Sequence, residues 1–356
     1  MKPSILDRLN KLQSPINVLA AVLLGLIIGT ALMAIQGHNV IEAYTALLNG
    51  AFSGRFNFGG TLERFVPLLL SGLAFAVASQ ASVFNVGVEG QLYFGAIVAA
   101  YFGYIIVGLP SVLHIILVLL LGGIAGALWA VIPGFLRATW RVNEVCTTIM
   151  LNYVAIFFTS YIVNHVFKNP NIGVPQTPTI QESARLTKIL MPSRANTGIF
   201  IALGIVVLFI WLMDYTTIGY KIKAVGFNAH FATYVGFRSR WIMIGTMALS
   251  GLIGGITGAI QVIGIHGYFL DNFSVGYGFD GIMVALLARN NLKAIPFVAF
   301  FLAVLKSGAI GMERFTGIPR ELIGIMEAVI ILFAAAEALI VIRKRVSLAK
   351  GGAEVV

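Results

Sequence analysis

The chain reads as an all-α membrane protein with about ten transmembrane helices. Three observations carry this reading. Hydrophobic residues fill 58% of the 356 positions and charged residues 11%, against about 25% charged in an ordinary soluble domain. The mean hydropathy is +0.92. Uncharged stretches long enough to cross a hydrocarbon layer recur along the whole chain. This profile excludes a soluble cytosolic enzyme, a nucleic-acid binder and a disordered chain. The single cysteine, Cys146, excludes a disulfide framework and a cysteine-only metal site.

The spans follow in order from the charge-free runs. Lys11 to Glu42 encloses Asn17–Ile35, and Arg64 to Glu89 encloses Phe65–Val83. Glu89 to Arg137 is long enough for two helices, split at Gly108-Leu109-Pro110-Ser111. Glu144 to Lys168, Arg194 to Asp214 and Arg240 to Asp271 each hold one. Beyond Asp271 the pattern weakens: Phe279–Ala288 is short, Ile295–Ile310 carries Lys306, and Leu322–Val341 carries Glu327 and Glu337. The expected organisation is an N-tail over 1–16, a polytopic domain over 17–343 and a C-tail over 344–356, with large loops at 168–197 and 215–240. The N-terminal apolar run lacks a small-residue cleavage site and is long enough to span, so it reads as a helix and not as a cleaved signal.

Lysine and arginine set the orientation. With the N-terminus inside, fifteen fall on inner segments and eight on outer ones, Lys306 lying within a span. The inner set comprises the N-tail, Arg137/Arg141, Lys221/Lys223/Arg238/Arg240, Arg289/Lys293 and the C-tail. Both termini are therefore expected in the cytoplasm. The outer 168–197 loop holds Pro170, Pro175, Pro178 and Pro192, so it is no long helix. It reads either as a solvated connector or as a contact surface outside the cell.

Two polar segments interrupt the apolar runs. Phe84-Asn85-Val86-Gly87-Val88-Glu89-Gly90-Gln91 places a carboxylate, two amides and two glycines between spans. An ionisable group at membrane depth costs about 2.5–3.5 kcal/mol on insertion scales and faces a partner or a cavity. Asn85, Glu89 and Gln91 are therefore pathway or gating candidates. The structural alternative is a helix start, with Asn85 as cap and Glu89 near the positive end of the dipole. Gly276-Tyr277-Gly278-Phe279-Asp280-Gly281 has the same character and makes Phe279 and Asp280 candidates. Short broken helices are expected near 84–91 and 276–288. Two such interruptions in the two halves point to a pair of structural repeats around a transport site. Asn152 lies two turns beyond Glu144, as a further pathway candidate or as helix-packing glue. Glycines at 251, 254, 255 and 258, and at 122, 123 and 126, fall at spacings that let helices approach closely.

The inner loop carries its own pattern. Asn228 can cap a short helix, Phe231, Tyr234 and Val235 fall on one face of it, and Gly236 closes it. Such a cation-flanked helix suits a groove on a soluble partner or the lipid headgroups. The chain has no Gly-x-x-x-x-Gly-Lys-Ser/Thr loop and no His-Glu-x-x-His, so it offers neither a nucleotide-hydrolysing loop nor that zinc site. Its five scattered histidines make no metal site and no catalytic group is assigned.

At these residues the sequence resembles the permease subunit of a bacterial ABC importer of the branched-chain amino acid/ribose-type superfamily. Within it, the chain is similar to nucleoside or simple-sugar permeases that work with a basic membrane lipoprotein as receptor. The resemblance covers about residues 60 to 343. It is carried in order by Phe84–Gln91, Asn143-Glu144-Val145 with Met150-Leu151-Asn152-Tyr153, Gly219–Phe237, Leu249-Ser250-Gly251, Gly278-Phe279-Asp280-Gly281-Ile282 and Ala285–Asn291. It implies a pathway formed by two permeases, two cytoplasmic ATPase subunits that hold ATP and Mg, and an external lipoprotein that delivers the solute. This chain would bind no cofactor. The resemblance makes Asn228, Phe231, Ala232, Tyr234, Val235 and Gly236 the coupling element that docks on the ATPase. Departures are Ala229 where the family often has Pro, Thr233 where Arg is frequent, and Glu327 where Gln is common. The resemblance implies a nucleoside as leading solute and a paralogous second permease, with a homodimer as the alternative. The competing reading is an ion- or proton-coupled secondary transporter using Glu89, Asp280 and Lys306 as a relay.

Overall fold

The computed structural model describes residues 22–170, 172–274, 276–330 and 332–333. The expected tails over 1–16 and 344–356, the first residues of the Asn17–Ile35 span, and Glu337 with the end of the Leu322–Val341 span lie outside the described residues. Thirteen α-helices and a short 3-10 turn at Glu182–Ala184 run through what is described, and no strand forms there beyond the isolated antiparallel bridges Gln176 to Leu270 and Lys188 to Asn196.

The helices are α1 (Val22–Ile35), α2 (Val40–Phe52), α3 (Gly54–Ser79), α4 (Val88–Ile105) and α5 (Ser111–Trp140). Then come α6 (Glu144–Tyr161, extended by a wider turn to Val166), α7 (Gly198–Tyr215), α8 (Thr217–Phe227) and α9 (Ala229–Tyr234). Last are α10 (Ser239–Gln261, extended to His266), α11 (Tyr277–Leu287), α12 (Ile295–Thr316) and α13 (321–330). Six of these, namely α3, α5, α6, α7, α10 and α12, are long and apolar enough to cross a membrane. A helix satisfies its backbone hydrogen bonds internally, which is the requirement in hydrocarbon.

Charge-free runs and helices do not coincide everywhere. α3 starts at Gly54 and carries Arg55, Glu63 and Arg64 within its first turns, whereas the run suggested a start at Phe65. Long charged side chains near a helix end reach the interface while the backbone stays helical. α2 was not expected, because its thirteen residues are too few to span. Both polar interruptions are helix starts: α4 opens at Val88, and α11 opens at Tyr277 and runs for only 11 residues, about 16 Å.

The described residues divide into two compact units, one within 52–304 and one formed from 22–51 with the described residues from 305 onward. In the larger unit, α10 packs against α5, α4 and α3, and α11 packs along α3. The two glycine runs form the seam. A Cβ at Gly95 of α4 would strike the Gly255 carbonyl, and one at Gly255 would strike the Gly122 carbonyl of α5. In lipid, helices gain nothing from hiding apolar surface from each other, so close backbone approach supplies the packing energy. Ser71 and Gly72 of α3 face Gly281 and Val284 of α11 in the same way. In the smaller unit, Gly50 packs on Gly311 and Gly29 on Met326, the Tyr44 hydroxyl donates to the Leu26 carbonyl (2.8 Å), and Lys306 pairs with Glu327 (3.3 Å).

Candidate functional site

The polar segment between α3 and α4 folds into a knot inside the larger unit. Asn85 is fully buried and uses its whole amide. Its Nδ2 donates to Ser250 Oγ of α10 (2.7 Å) and to Gln91 Oε1 (3.0 Å). Its Oδ1 accepts from Gly87 N–H (3.0 Å) and Gln91 Nε2 (3.0 Å). Ser250 Oγ in turn donates to the Ala74 carbonyl of α3 (2.6 Å). Asn152 of α6 accepts from Gly90 N–H (2.8 Å) and donates to the Val86 carbonyl (2.9 Å). Gly90 lets Asn152 approach this closely, since a Cβ there would lie only 3.0 Å from Asn152 Oδ1. The knot thus joins α3, α4, α6 and α10 through paired buried amides, which are costly to leave unsatisfied and rigid when satisfied.

Glu89 extends the knot to α11. Its Oε2 accepts from Gly278 N–H at 2.6 Å, and a Cβ at Gly278 would lie 2.7 Å from Glu89 Cα. The buried carboxylate therefore lies in the first turn of α4 and against the first turn of α11 together, where both helices present unpaired N–H groups and the positive ends of their dipoles. The structure brings Asn85 and Gln91 together as mutual partners, sets Asn152 on the backbone of Val86 and Gly90 beside them, and turns Glu89 to Gly278 of α11. Phe279 is exposed and Asp280 half-buried, both on the first turn of α11.

The second predicted cluster is local. Asn228 ends α8 with its N–H on the Ala224 carbonyl (3.2 Å) and caps α9 with Oδ1 accepting from Phe231 N–H (2.9 Å). Gly236 has φ +97°, the left-handed conformation expected of a closing glycine, and Phe237 N–H returns to the Ala232 carbonyl (2.9 Å). Ala232 is buried, whereas Phe231 is 64% and Tyr234 90% exposed, with Val235 and Phe227 also exposed. α9 is held to the start of α10 by Ser239 Oγ, which donates to the Ala229 carbonyl (3.0 Å).

Other residues tie this region to the rest of the unit, and the sequence reading missed their roles. Asp214, in the last turn of α7, pairs with Lys223 of α8 and with Lys293 of the α11–α12 connection, each at 2.8 Å. The Asp214 carboxylate holds the Lys293 ammonium above its ordinary pKa. Ser82 Oγ donates to the Gly226 carbonyl (2.7 Å) and Gln80 Nε2 to the Asn290 carbonyl (3.0 Å). Arg137 pairs with Glu144 (3.1 Å). The segments bearing Arg137, Lys221/Lys223 and Arg289/Lys293, assigned to one face by charge, gather at one end of the unit. Asp214 had marked only the edge of an apolar run, and Ser250 is one hydroxyl in a glycine-rich helix. At the other end of α7 the 168–197 loop is laid along the end of α10, with Thr177 N–H on the Phe269 carbonyl (3.0 Å) and Leu186 N–H on the Ile263 carbonyl (2.9 Å). A cavity of about 280 Å³ opens there, lined by Arg185, Lys188, Arg194, His266 and Tyr268. Among the described residues no cluster of three or more potential metal ligands forms.

Long apolar helices sealed by glycine contacts make this a multi-pass integral membrane protein. The chain belongs to the family described as the permease component of branched-chain amino acid transport systems, whose profile matches residues 57–335. It is similar to the guanosine ABC transporter permease protein NupP of Bacillus subtilis, with 38% identity over 93% of this chain and 95% of that protein. It is also similar to the nucleoside ABC transporter permease protein NupB of Lactococcus lactis, 33% identical over 93% of each chain. The glucose ABC transporter permease protein TsgB13 of Haloferax volcanii is 32% identical over 89% of this chain and 85% of its own length. No solved structure matches the chain.

Proposed function

We propose that the chain is the membrane-spanning permease subunit of an ATP-driven importer, and that the solute it passes is a nucleoside. The observation that carries the coupling role is α9: a capped six-residue helix that buries only Ala232 and presents Phe231, Tyr234 and Val235 outward. Exposed aromatic side chains on a rigid helix are the anchors of protein contacts. In this reading α9 enters a cleft on a cytoplasmic ATPase, which holds ATP and Mg, while this chain binds no cofactor and catalyses no reaction. The basic end of the larger unit then faces the cytoplasm of the cell, as do both termini. The 168–197 loop faces outward, where the cationic cavity suits an acidic surface of the receptor lipoprotein.

A second permease, a paralogue in preference to another copy, completes the pathway. The first turn of α11, with exposed Phe279 and half-buried Asp280, is the pathway-facing element; Asn85, Glu89, Gln91 and Asn152 set its position as the gate's frame. The secondary-transporter reading needs free ionisable groups in the spans. Glu89 has Gly278 N–H against it and Lys306 has Glu327, which favours the ABC reading. The nucleoside assignment rests on the similarity to NupP and NupB. It is tested by uptake of labelled guanosine, adenosine, cytidine and uridine in cells with and without this gene. Loss of at least one is expected. Unchanged uptake of all four, with lost uptake of an amino acid or glucose, moves the assignment.

A further inference from the structure

Asp214 is the one acidic residue in the basic region around α8 and α9 over 201–270, and it is shared. Its two carboxylate oxygens go to different elements: Oδ1 to Lys223 of α8 and Oδ2 to Lys293 of the α11–α12 connection, both at 2.8 Å. A second contact runs between the same elements. Gln80, whose carbonyl a Cβ at Gly226 of α8 would strike, donates from Nε2 to the Asn290 carbonyl (3.0 Å). α8 is therefore linked to the segment that follows α11 by two bridges, one through Asp214 of α7 and one through Gln80 at the end of α3. α11's other end rests on Glu89 through Gly278. α8 continues into α9 at a single residue, Asn228, which is the last acceptor-bound residue of one helix and the cap of the next.

We propose that Asp214 is an electrostatic clasp that links the α8–α9 pair to α11, so that a displacement of α9 by its partner reaches the half-length helix seated on Glu89. This rests on the coupling role of α9 argued above. Asp214 is a positioning residue: it touches no solute and acts through Lys223 and Lys293. Partly exposed ion pairs are individually weak, which suits a joint that must yield and re-form as α11 moves.

The test uses the whole importer, both permeases with the ATPase, reconstituted in vesicles with the receptor and labelled guanosine. The quantity read is guanosine accumulated per ATP hydrolysed, which loss of folded protein does not change. Asp214→Asn and Lys293→Gln should each lower this ratio about three- to five-fold, the scale of one or two partly exposed pairs. Asp214→Glu should restore it to within about two-fold, and the double variant should be no worse than either single one, as expected of residues acting through one contact. Lys293→Gln carries the test if Asp214→Asn does not assemble. Phe231→Asp is run beside them. If Phe231→Asp abolishes coupling while Asp214→Asn and Lys293→Gln keep the wild-type ratio, the clasp is wrong and the role of α9 stands. If all three keep it, the role of α9 fails and the clasp fails with it.

Discussion

Glu89 and Gly278 are 189 residues apart, yet the carboxylate of one accepts a 2.6 Å hydrogen bond from the backbone N–H of the other. The carboxyl group is buried where two helix N-termini converge, so the backbone supplies donors that water would otherwise supply. A carboxylate held this way is a joint between α4 and α11. It keeps α11 in register with the Asn85 knot, because Glu89 follows the knot's Gly87 by half a turn of helix.

The first prediction separates a joint from a proton carrier. Glu89→Gln keeps an oxygen to accept from Gly278 N–H and loses only the charge–dipole attraction, about 0.3–2 kcal/mol. Uptake should fall a few-fold. Glu89→Ala leaves that N–H buried without its acceptor, at a cost of about 1–3 kcal/mol, and should lower the thermal midpoint of the purified protein. Complete loss of uptake in Glu89→Gln, in a wild type whose uptake collapses with the proton gradient, would instead establish the secondary transporter.

The second prediction concerns the knot. Asn85→Leu strips partners from Gly87 N–H, Gln91 and Ser250 at once, and each buried group so orphaned costs about 1–3 kcal/mol. Asn85→Leu should be markedly less stable than Ser250→Ala, which orphans one Asn85 N–H while the other keeps Gln91 Oε1 as acceptor. Thermal unfolding in detergent ranks the two. Equal midpoints would show that the knot is not held by Asn85.

What the sequence made legible divides along the same line of local against long-range contact. The Asn228 cap and the left-handed Gly236 were readable because each is decided by residues within one turn. The polarity of Asn85, Glu89 and Gln91 was readable as an anomaly in an apolar run. Their partners Ser250 and Gly278 were not, since nothing near Ser250 distinguishes it from a helix-packing serine. The spans were legible in outline only. Charge-free runs report where lipid excludes charged side chains, whereas helices extend past them, as α3 does through Arg55 and Arg64 and α11 does through Asp280. Asp214 was invisible as a joint because an acid at the end of a span looks the same whether it meets water or two lysines.

The third prediction concerns the glycine seam. Gly255→Val places a side chain against the Gly122 carbonyl of α5, a backbone atom that cannot swing away. Overpacking of this kind costs about 1–3 kcal/mol or more. The variant should accumulate poorly in membranes, while Gly245→Ala, where a Cβ meets nothing within 4 Å, should accumulate normally. Comparable amounts of both in the membrane fraction would contradict the seam.

The fourth prediction is a pH dependence. Pairing with Asp214 raises the Lys293 pKa above its ordinary 10.5. A lysine whose folded pKa is raised contributes its full stabilisation below the unfolded value and loses it only as the pH climbs through the folded one. The clasp should therefore be insensitive to pH between about 6 and 9 and sensitive to salt, which screens exposed charges over about 8–10 Å near physiological strength. The guanosine-to-ATP ratio of the wild type should fall on going from low to high salt more than that of Lys293→Gln. A ratio that follows pH across that range, equally in both proteins, would point to another titrating group.

The last prediction addresses α9 itself. Phe231 is 64% exposed, so Phe231→Asp removes little packing from the chain that bears it. It places a charge in the centre of the face proposed to enter the ATPase cleft, where an unpaired buried charge is costly. Gly236→Val acts differently. The position has φ +97°, which a β-branched residue adopts only with strain of about 1–2 kcal/mol. Relief of that strain would turn the chain after Tyr234 and misdirect Tyr234 and Val235. Both variants should insert in the membrane and still bind the external receptor. Receptor-stimulated ATP hydrolysis in reconstituted vesicles should drop to about the unstimulated level, and the ATPase should co-purify weakly with Phe231→Asp, since a central hot-spot residue carries about 2 kcal/mol or more of an interface. Thr233→Ala is the control: it removes a hydroxyl that faces Ser239 and leaves the apolar face intact. Full stimulation in Phe231→Asp, with normal recovery of the ATPase, would show that the partner docks elsewhere on the basic end, and would remove the structural ground for assigning α9 the coupling role.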